Sequence, residues 1–332
     1  MINALVVETA FPGDVVISLA LVAELKRLAS DARITYLVRP DAADLAMASP
    51  DVDDVIIFDK RGADKGVEGI VRVASLLNER EFTHLFLLHS SDRSIELAKR
   101  LDVPVRIGFA SKDAVTHRID EPPFGTPRTS RAISLLTAIF DNVDQSTLPR
   151  LDTSQGERMS ETIALAPGSA WATKKWGDDK FVELARLLLD EGKQLIVIGG
   201  RDEKKVGNRI SALSKDRVID LTGKTTLVEA AEVISKCALL IGNDSAPIHL
   251  ATAVKTPSVV IYGPTVKEFG FAPPSEMSKI VEVEDLWCRP CTAHGSDTCP
   301  IFTHKCMKAI SATEVAKTAL MFFIFREKIV GG

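Results

Sequence analysis

The chain has 332 residues, 41 lysines and arginines against 45 aspartates and glutamates, and a formal charge of −4 at neutral pH. At roughly 150 residues per domain this length points to two domains rather than one continuous core. With 45% hydrophobic and 26% charged residues the composition excludes disordered, collagen-like and coiled-coil classes, and the balanced charge argues against bulk adhesion to nucleic acid or anionic lipid.

The N-terminal residues Met1-Ile2-Asn3-Ala4-Leu5-Val6-Val7 lack the basic segment and long apolar core of a secretory signal, so a cytoplasmic location is expected. Leu5–Val7 reads as a strand, Gly13-Asp14 precedes a helical pattern through Leu28, and Ile34–Val38, Val55–Phe58 and Leu85–Leu88 read as further strands, with helical patterns at 41–48 and 67–79 between them. Strands alternating with helices predict a parallel sheet covered on both faces. The apolar pattern lapses over Leu151–Gly156, where a linker is expected. It then restarts with strands at Ile163–Ala166, Leu195–Ile198, Val218–Asp220, Leu239–Ile241 and Ser258–Ile261, and helices at 178–190, 226–235 and 246–253. No run approaches the roughly 18 apolar residues of a spanning helix. The late run Leu320–Phe325 fits a helix docked on a neighbouring domain or, as the alternative, a peripheral membrane contact.

In doubly wound sheets ligands gather at the carboxyl ends of strands, which directs attention to the loops at 8–15, 166–176, 199–203 and 242–249. The first contains Phe11-Pro12-Gly13-Asp14 and lacks the Gly-x-Gly-x-x-Gly of dinucleotide folds. Asp14 is suited either to accept a proton from an incoming hydroxyl or to cap a helix. The second, Ala166-Pro167-Gly168-Ser169-Ala170-Trp171-Ala172-Thr173-Lys174-Lys175-Trp176, offers small residues and two ammonium groups, parts for holding a diphosphate; the alternative is a solvated lysine pair beside a packed tryptophan. In Asn243-Asp244-Ser245-Ala246-Pro247-Ile248-His249 a strand gives way to a helix with proline in its first turn, and the helix start suits a diphosphate. Asp220 follows a strand where a carboxylate can accept from ribose hydroxyls. Tyr262-Gly263-Pro264-Thr265 and Leu221-Thr222-Gly223-Lys224 read as rim loops or as plain turns.

Four cysteines cluster as Cys288-x2-Cys291-x7-Cys299-x6-Cys306, while Cys237 falls in a predicted helix. The four are compatible with a metal, with disulfides or with free thiols, and His294 and His304 are near enough in sequence to replace a thiolate.

Taken in order, these motifs resemble glycosyltransferase family 9, the bacterial ADP-heptose:lipopolysaccharide heptosyltransferases. Carrying the resemblance are Phe11–Asp14, Leu88-His89-Ser90-Ser91, Arg106–Phe109, Pro167–Ser169 with Lys174–Trp176, Leu221–Thr225, Asn243–Ala251, Tyr262–Thr265 and the cysteine segment ending in Cys306-Met307. The resemblance implies an α/β fold of two Rossmann-like domains facing across a cleft, of GT-B type: an acceptor domain over 1–152, a nucleotide-sugar domain over 153–315, and a C-terminal helix over 316–332 returning to the first domain. It implies an inverting, metal-independent transferase with no cofactor, an ADP-sugar donor, a lipopolysaccharide-core or related glycan acceptor and no nucleic-acid partner, acting in the cytoplasm with peripheral contact at the inner membrane left open. By the same resemblance Asp14 is the general base and Lys174 stabilises the leaving diphosphate, while Gly13, Ser169, Asp220, Asp244, Ser245, Ala246 and His249 join Lys174 in binding the nucleotide sugar. A nucleotide-sugar epimerase of the same architecture, or a transferase using another nucleotide sugar, is the alternative. Two positions depart from the family pattern: Ala246-Pro247 stand where glycine commonly follows the Asp-Ser pair, and Gly177 stands where proline often follows tryptophan.

Overall fold

A computed structural model describes residues 1–109, 113–153 and 157–330, without the side chains of 324–330. Its contacts divide the chain into two units, Met1–Asp152 and Thr153–Gly332; the predicted linker runs into 154–156, which lie outside the described residues.

The first unit runs β1 (Asn3–Val7), α1 (Pro12–Leu28), β2 (Arg33–Val38), α2 (Ala43–Met47), β3 (Asp54–Ile57), α3 (Gly66–Asn78), β4 (His84–Leu87), α4 (Asp92–Lys99), β5 (Val105–Gly108), β6 (His117–Arg118) and α5 (Arg128–Ile133). Its strands form one parallel sheet in the order β3-β2-β1-β4-β5-β6. Strands covered on both faces read as unbroken apolar runs, which is why Ala4–Val7 and Leu85–Leu87 are buried throughout. Helix α1 is buried from Val15 to Leu25, including Glu24. That carboxylate is satisfied by Arg27, by the Asp144 amide at 2.7 Å and by the Thr147 hydroxyl at 2.7 Å, so a charge inside the helix anchors the 144–147 loop.

Helix α3 begins after a tight turn around Asp64. A Cβ added at Gly69 would lie 2.3 Å from the Asp64 carbonyl carbon and oxygen, backbone atoms that cannot rotate away. Gly69→Ala is therefore expected to lose about 1–3 kcal/mol by overpacking, despite alanine's better helix propensity. Urea denaturation measures it, and an alanine variant as stable as the parent contradicts the packing.

The second unit contains β7 (Met159–Ala166), α6 (Asp178–Asp190), β8 (Gln194–Val197), α7 (Lys204–Ser211), β9 (Val218–Asp220), α8 (Leu227–Lys236), β10 (Cys237–Asn243), α9 (Ala246–Ala253), β11 (Ser258–Tyr262), β12 (Ser278–Glu282), α10 (Lys305–Lys308) and α11 (Ala312–Val330). Its parallel sheet has the order β12-β11-β10-β7-β8-β9, which read from the other edge repeats the first sheet's pattern. Both are the strand order of a Rossmann-like fold, with the switch points between β1 and β4 and between β7 and β10.

One expectation changes: Cys237 is the first residue of β10, not part of a helix. The first part of the C-terminal helix places Ala312, Val315, Ala316, Ala319 and Phe322 in the core of the second unit, and Lys279 and Lys193 cover the rings of Phe322 and Phe323. The side chains of Ile324 and Phe325 lie outside the described residues. No helix among the described residues is long and apolar enough to cross a membrane.

Candidate functional site

At the switch point of the first sheet, the chain leaving β1 places Glu8 and Thr9 beside the loop leaving β4, whose Leu88 and His89 amides donate to the Val7 carbonyl. Asp14 is the third residue of α1, with Gly13 before it in the same turn rather than in a free loop. Its Oδ2 accepts from the Phe11 amide at 3.2 Å, so the carboxylate closes the start of α1. Thr9 is the hub of a buried polar cluster. Its hydroxyl lies 2.9 Å from Lys60 Nζ, 2.8 Å from His89 Nδ1 and 3.0 Å from Ser94 Oγ, and Lys60 also donates to Ser91 Oγ at 3.4 Å. The ammonium can only donate, so the Thr9 oxygen accepts from Lys60, while the His89 Nδ1 and Ser94 Oγ contacts can run in either direction. Burial, followed by the Lys60 charge, holds His89 down to about 4, and burial, with Arg39 next, lowers Lys60.

Glu8 is buried, with Oε1 accepting from the Ala10 amide at 2.9 Å. Burial first, and the Asp14 carboxylate second, push it up to about 8, against the Ala10 hydrogen bond, Arg131 and Lys60. Between 4.5, its ordinary value, and about 8 the folded chain holds a proton that the unfolded chain has lost. Stability therefore falls as pH rises through this window. Glu8→Gln is expected to flatten that fall, read as melting temperature from pH 5 to pH 9; an unchanged slope contradicts a neutral Glu8.

In the second unit, Lys174 Nζ and Asp244 Oδ2 form a buried ion pair at 2.6 Å across the switch point between β7 and β10. The same carboxylate oxygen accepts from Thr265 Oγ1 at 2.8 Å. The fully buried Asn243 locks the lysine-bearing loop to β10: Nδ2 donates to the Pro167 carbonyl at 2.7 Å and Oδ1 accepts from the Trp176 amide at 3.2 Å. Ser245 Oγ donates to the Gly168 carbonyl at 3.1 Å at the start of α9, whose first residues are Ala246 and Pro247. Tyr262 is raised well above its ordinary value by burial and then by Asp244.

The two departures from the family pattern have different structural standing. Gly177 sits at φ +114°, a conformation that proline cannot adopt and glycine takes at little cost. Ala246 and Pro247 are accommodated within the first turn of α9, where proline's missing N–H is tolerated.

The remaining residues fall into place unequally. Lys175 pairs with Glu203 at 3.1 Å, and Ser169 Oγ accepts from the Trp171 amide at 3.3 Å. His249 is buried in α9 with its ring 6.4 Å from that of Phe271. Asp220, at the end of β9, turns inward: Oδ1 accepts from the amide and hydroxyl of Thr222 at 2.9 and 2.7 Å, while β9 lies two strands from β7 at the sheet's edge.

Sequence reasoning missed Glu203, whose carboxylate accepts from the Gly200 amide at 3.0 Å. A Cβ at Gly168 would lie 2.9 Å from its Cδ, so the glycine in Pro167-Gly168-Ser169 makes room for this carboxylate. Lys60 and Glu8 were also missed; their place just past the carboxyl ends of β3 and β1 was the available signal.

All five cysteines are free, and among the described residues no group of three or more His, Cys, Asp or Glu is placed to hold a metal. Cys291 Sγ donates to the Cys288 carbonyl at 2.9 Å. Backbone amides around His304 hold Cys299 below its ordinary value against the opposing effect of burial. His304, considered above as a thiolate substitute, instead bonds through Nε2 to the Thr173 carbonyl at 2.7 Å.

Two Rossmann-like units, each built on a six-stranded parallel sheet, match the GT-B fold of glycosyltransferases. The model of glycosyltransferase family 9 (heptosyltransferase) matches residues 70–301, more than half of the sequence, and the chain belongs to that family. It is 34% identical over 164 residues to lipooligosaccharide heptosyltransferase 2 of Campylobacter jejuni, a match covering 47% of this chain and about half, 49%, of that relative. It is 25% identical over 291 residues to lipopolysaccharide heptosyltransferase 2 of Salmonella typhimurium, covering 80% of this chain and 84% of the relative. The solved structure of Escherichia coli ADP-heptose lipopolysaccharide heptosyltransferase II shares the fold, with a TM-score of 0.78 at 21% identity over 98% of this chain and 100% of that one.

Proposed function

We propose that the chain is an inverting glycosyltransferase that moves heptose from ADP-heptose to an inner-core lipopolysaccharide acceptor. The observation that carries this reading is the buried Lys174–Asp244 pair at the switch point of the second sheet, in a member of the heptosyltransferase family. ADP as the nucleotide is supported by the related enzyme described as acting with ADP-heptose.

In the proposed reaction the Asp14 carboxylate takes the proton of an acceptor hydroxyl as its oxygen attacks the anomeric carbon. The bond from that carbon to the diphosphate breaks on the opposite face, and ADP leaves with the bonding electrons. Lys174 neutralises charge on the departing diphosphate, a role in which a preorganised cation in a dry site is most effective. The start of α9 at Ser245 and Ala246 adds its dipole, with Gly13 beside the base and Ser169, Asp220 and His249 assigned to the donor. Lys60, hydrogen-bonded to hydroxyls at the first switch point, suits an acidic acceptor. An acceptor carried on lipid would bring the protein to the cytoplasmic face of the inner membrane. No step requires a metal or cofactor.

Calorimetry with ADP, UDP and GDP tests the donor site. ADP is expected to bind at one site per chain and more tightly than the others. Equal affinities contradict the adenine assignment, and no binding points to a scaffold.

A further inference from the structure

The cysteine segment is built into the loop that carries Lys174. All three polar atoms of Thr173, the residue before Lys174, are held by it. The Thr173 amide and hydroxyl donate to the Ser296 carbonyl at 3.0 and 2.8 Å, and the hydroxyl accepts from the Ser296 amide at 2.9 Å. The Thr173 carbonyl accepts from His304 Nε2 at 2.7 Å; since a carbonyl only accepts, that nitrogen carries the proton. The same segment supports Asp244's other partner: Arg289 Nη2 donates to the Thr265 carbonyl at 2.8 Å while pairing with Glu282, and the Cys291 amide donates to Pro264.

His304 itself sits in the left-handed region, at φ +50°, with its amide on Cys299 Sγ. A non-glycine residue held there costs free energy and persists only where its surroundings impose it. Here that backbone shape accompanies an imidazole aimed at the loop carrying Lys174.

We infer that His304 is a positioning residue of the donor site: by fixing the Thr173 carbonyl it sets the Lys174 ammonium against Asp244 and hence against the diphosphate. The inference rests on the proposed role of Lys174. It gives the segment from Cys288 to Cys306 a task in sugar transfer that depends on its backbone path and on one imidazole.

His304→Asn tests it, because asparagine tolerates the left-handed backbone but is too short to reach Thr173. His304→Gln, whose amide nitrogen can stand in for Nε2, is the rescue. The readouts are turnover and the ratio of ADP to AMP affinity, since AMP lacks the second phosphate. His304→Asn is expected to lose about ten- to a hundredfold in turnover, the scale of a misplaced catalytic group, and to bring the ADP/AMP ratio down to that of Lys174→Ala. His304→Gln should restore both, and the double variant His304→Asn/Lys174→Ala should discriminate no worse than Lys174→Ala alone. A lowered melting temperature with an unchanged ratio, or losses that add in the double variant, overturns the inference and leaves the donor-site reading standing. If Lys174→Ala itself leaves the ratio unchanged, the donor-site reading fails first and this inference with it.

Discussion

Asp14→Asn is expected to reduce turnover by roughly two to four powers of ten, the span of general-base loss, while leaving ADP affinity at the second unit unchanged. Asparagine keeps a side-chain oxygen for the Phe11 amide, so the start of α1 should survive, with only the helix-dipole contribution of the charge lost, about 0.3–1 kcal/mol. Steady-state kinetics beside calorimetry separate the two effects. Activity within a few-fold of the parent would leave Asp14 a helix-closing residue. The neighbour Glu8 offers a cross-check: Asp14 is one cause of its raised value, so removing that charge should let Glu8 ionise at lower pH.

The second large effect is at Lys174. Truncation to alanine leaves the Asp244 carboxylate buried without its ammonium, which costs about 3–5 kcal/mol of stability by analogy with other broken buried pairs. It should also lower turnover and donor affinity together, because the charge acts on both bound and departing diphosphate. The double variant Lys174→Met/Asp244→Asn removes both charges and is expected to regain most of the stability without the turnover. Denaturation and kinetics on the same preparations distinguish the two roles; a double variant that recovers both would make the pair purely structural.

The parts of this account that local sequence could supply are those set by one stretch of chain. Buried parallel strands announce themselves as apolar runs, so Ser258–Ile261 falls inside β11, and the helices over 178–190 and 246–253 have the expected bounds. Strands without such a run did not: β6 is two exposed polar residues, His117 and Arg118, and β5 carries an arginine. Cys237 looked helical because the pattern of α8 runs up to Lys236, yet the next residue turns to extended geometry.

The candidate site divides the same way. Lys174 and Asp244 were marked by their places after strands, but their pairing depends on β7 lying beside β10, a contact across 70 positions. Lys60 reads locally as part of a solvated Asp-Lys-Arg turn. Only the sheet brings it under Thr9, 51 positions away. Asp220 shows the converse: a carboxylate at a strand end, expected at the ribose, spends one oxygen on its own turn.

The most direct measurement is a turnover screen of ADP-, UDP- and GDP-sugars with a lipopolysaccharide core oligosaccharide, following nucleotide release and the anomeric configuration of the product. ADP release from ADP-heptose that requires the oligosaccharide, with one heptose added and the anomeric configuration inverted, is the predicted result. Nucleotide release or sugar isomerisation without acceptor, or transfer only from a UDP- or GDP-sugar, would contradict it.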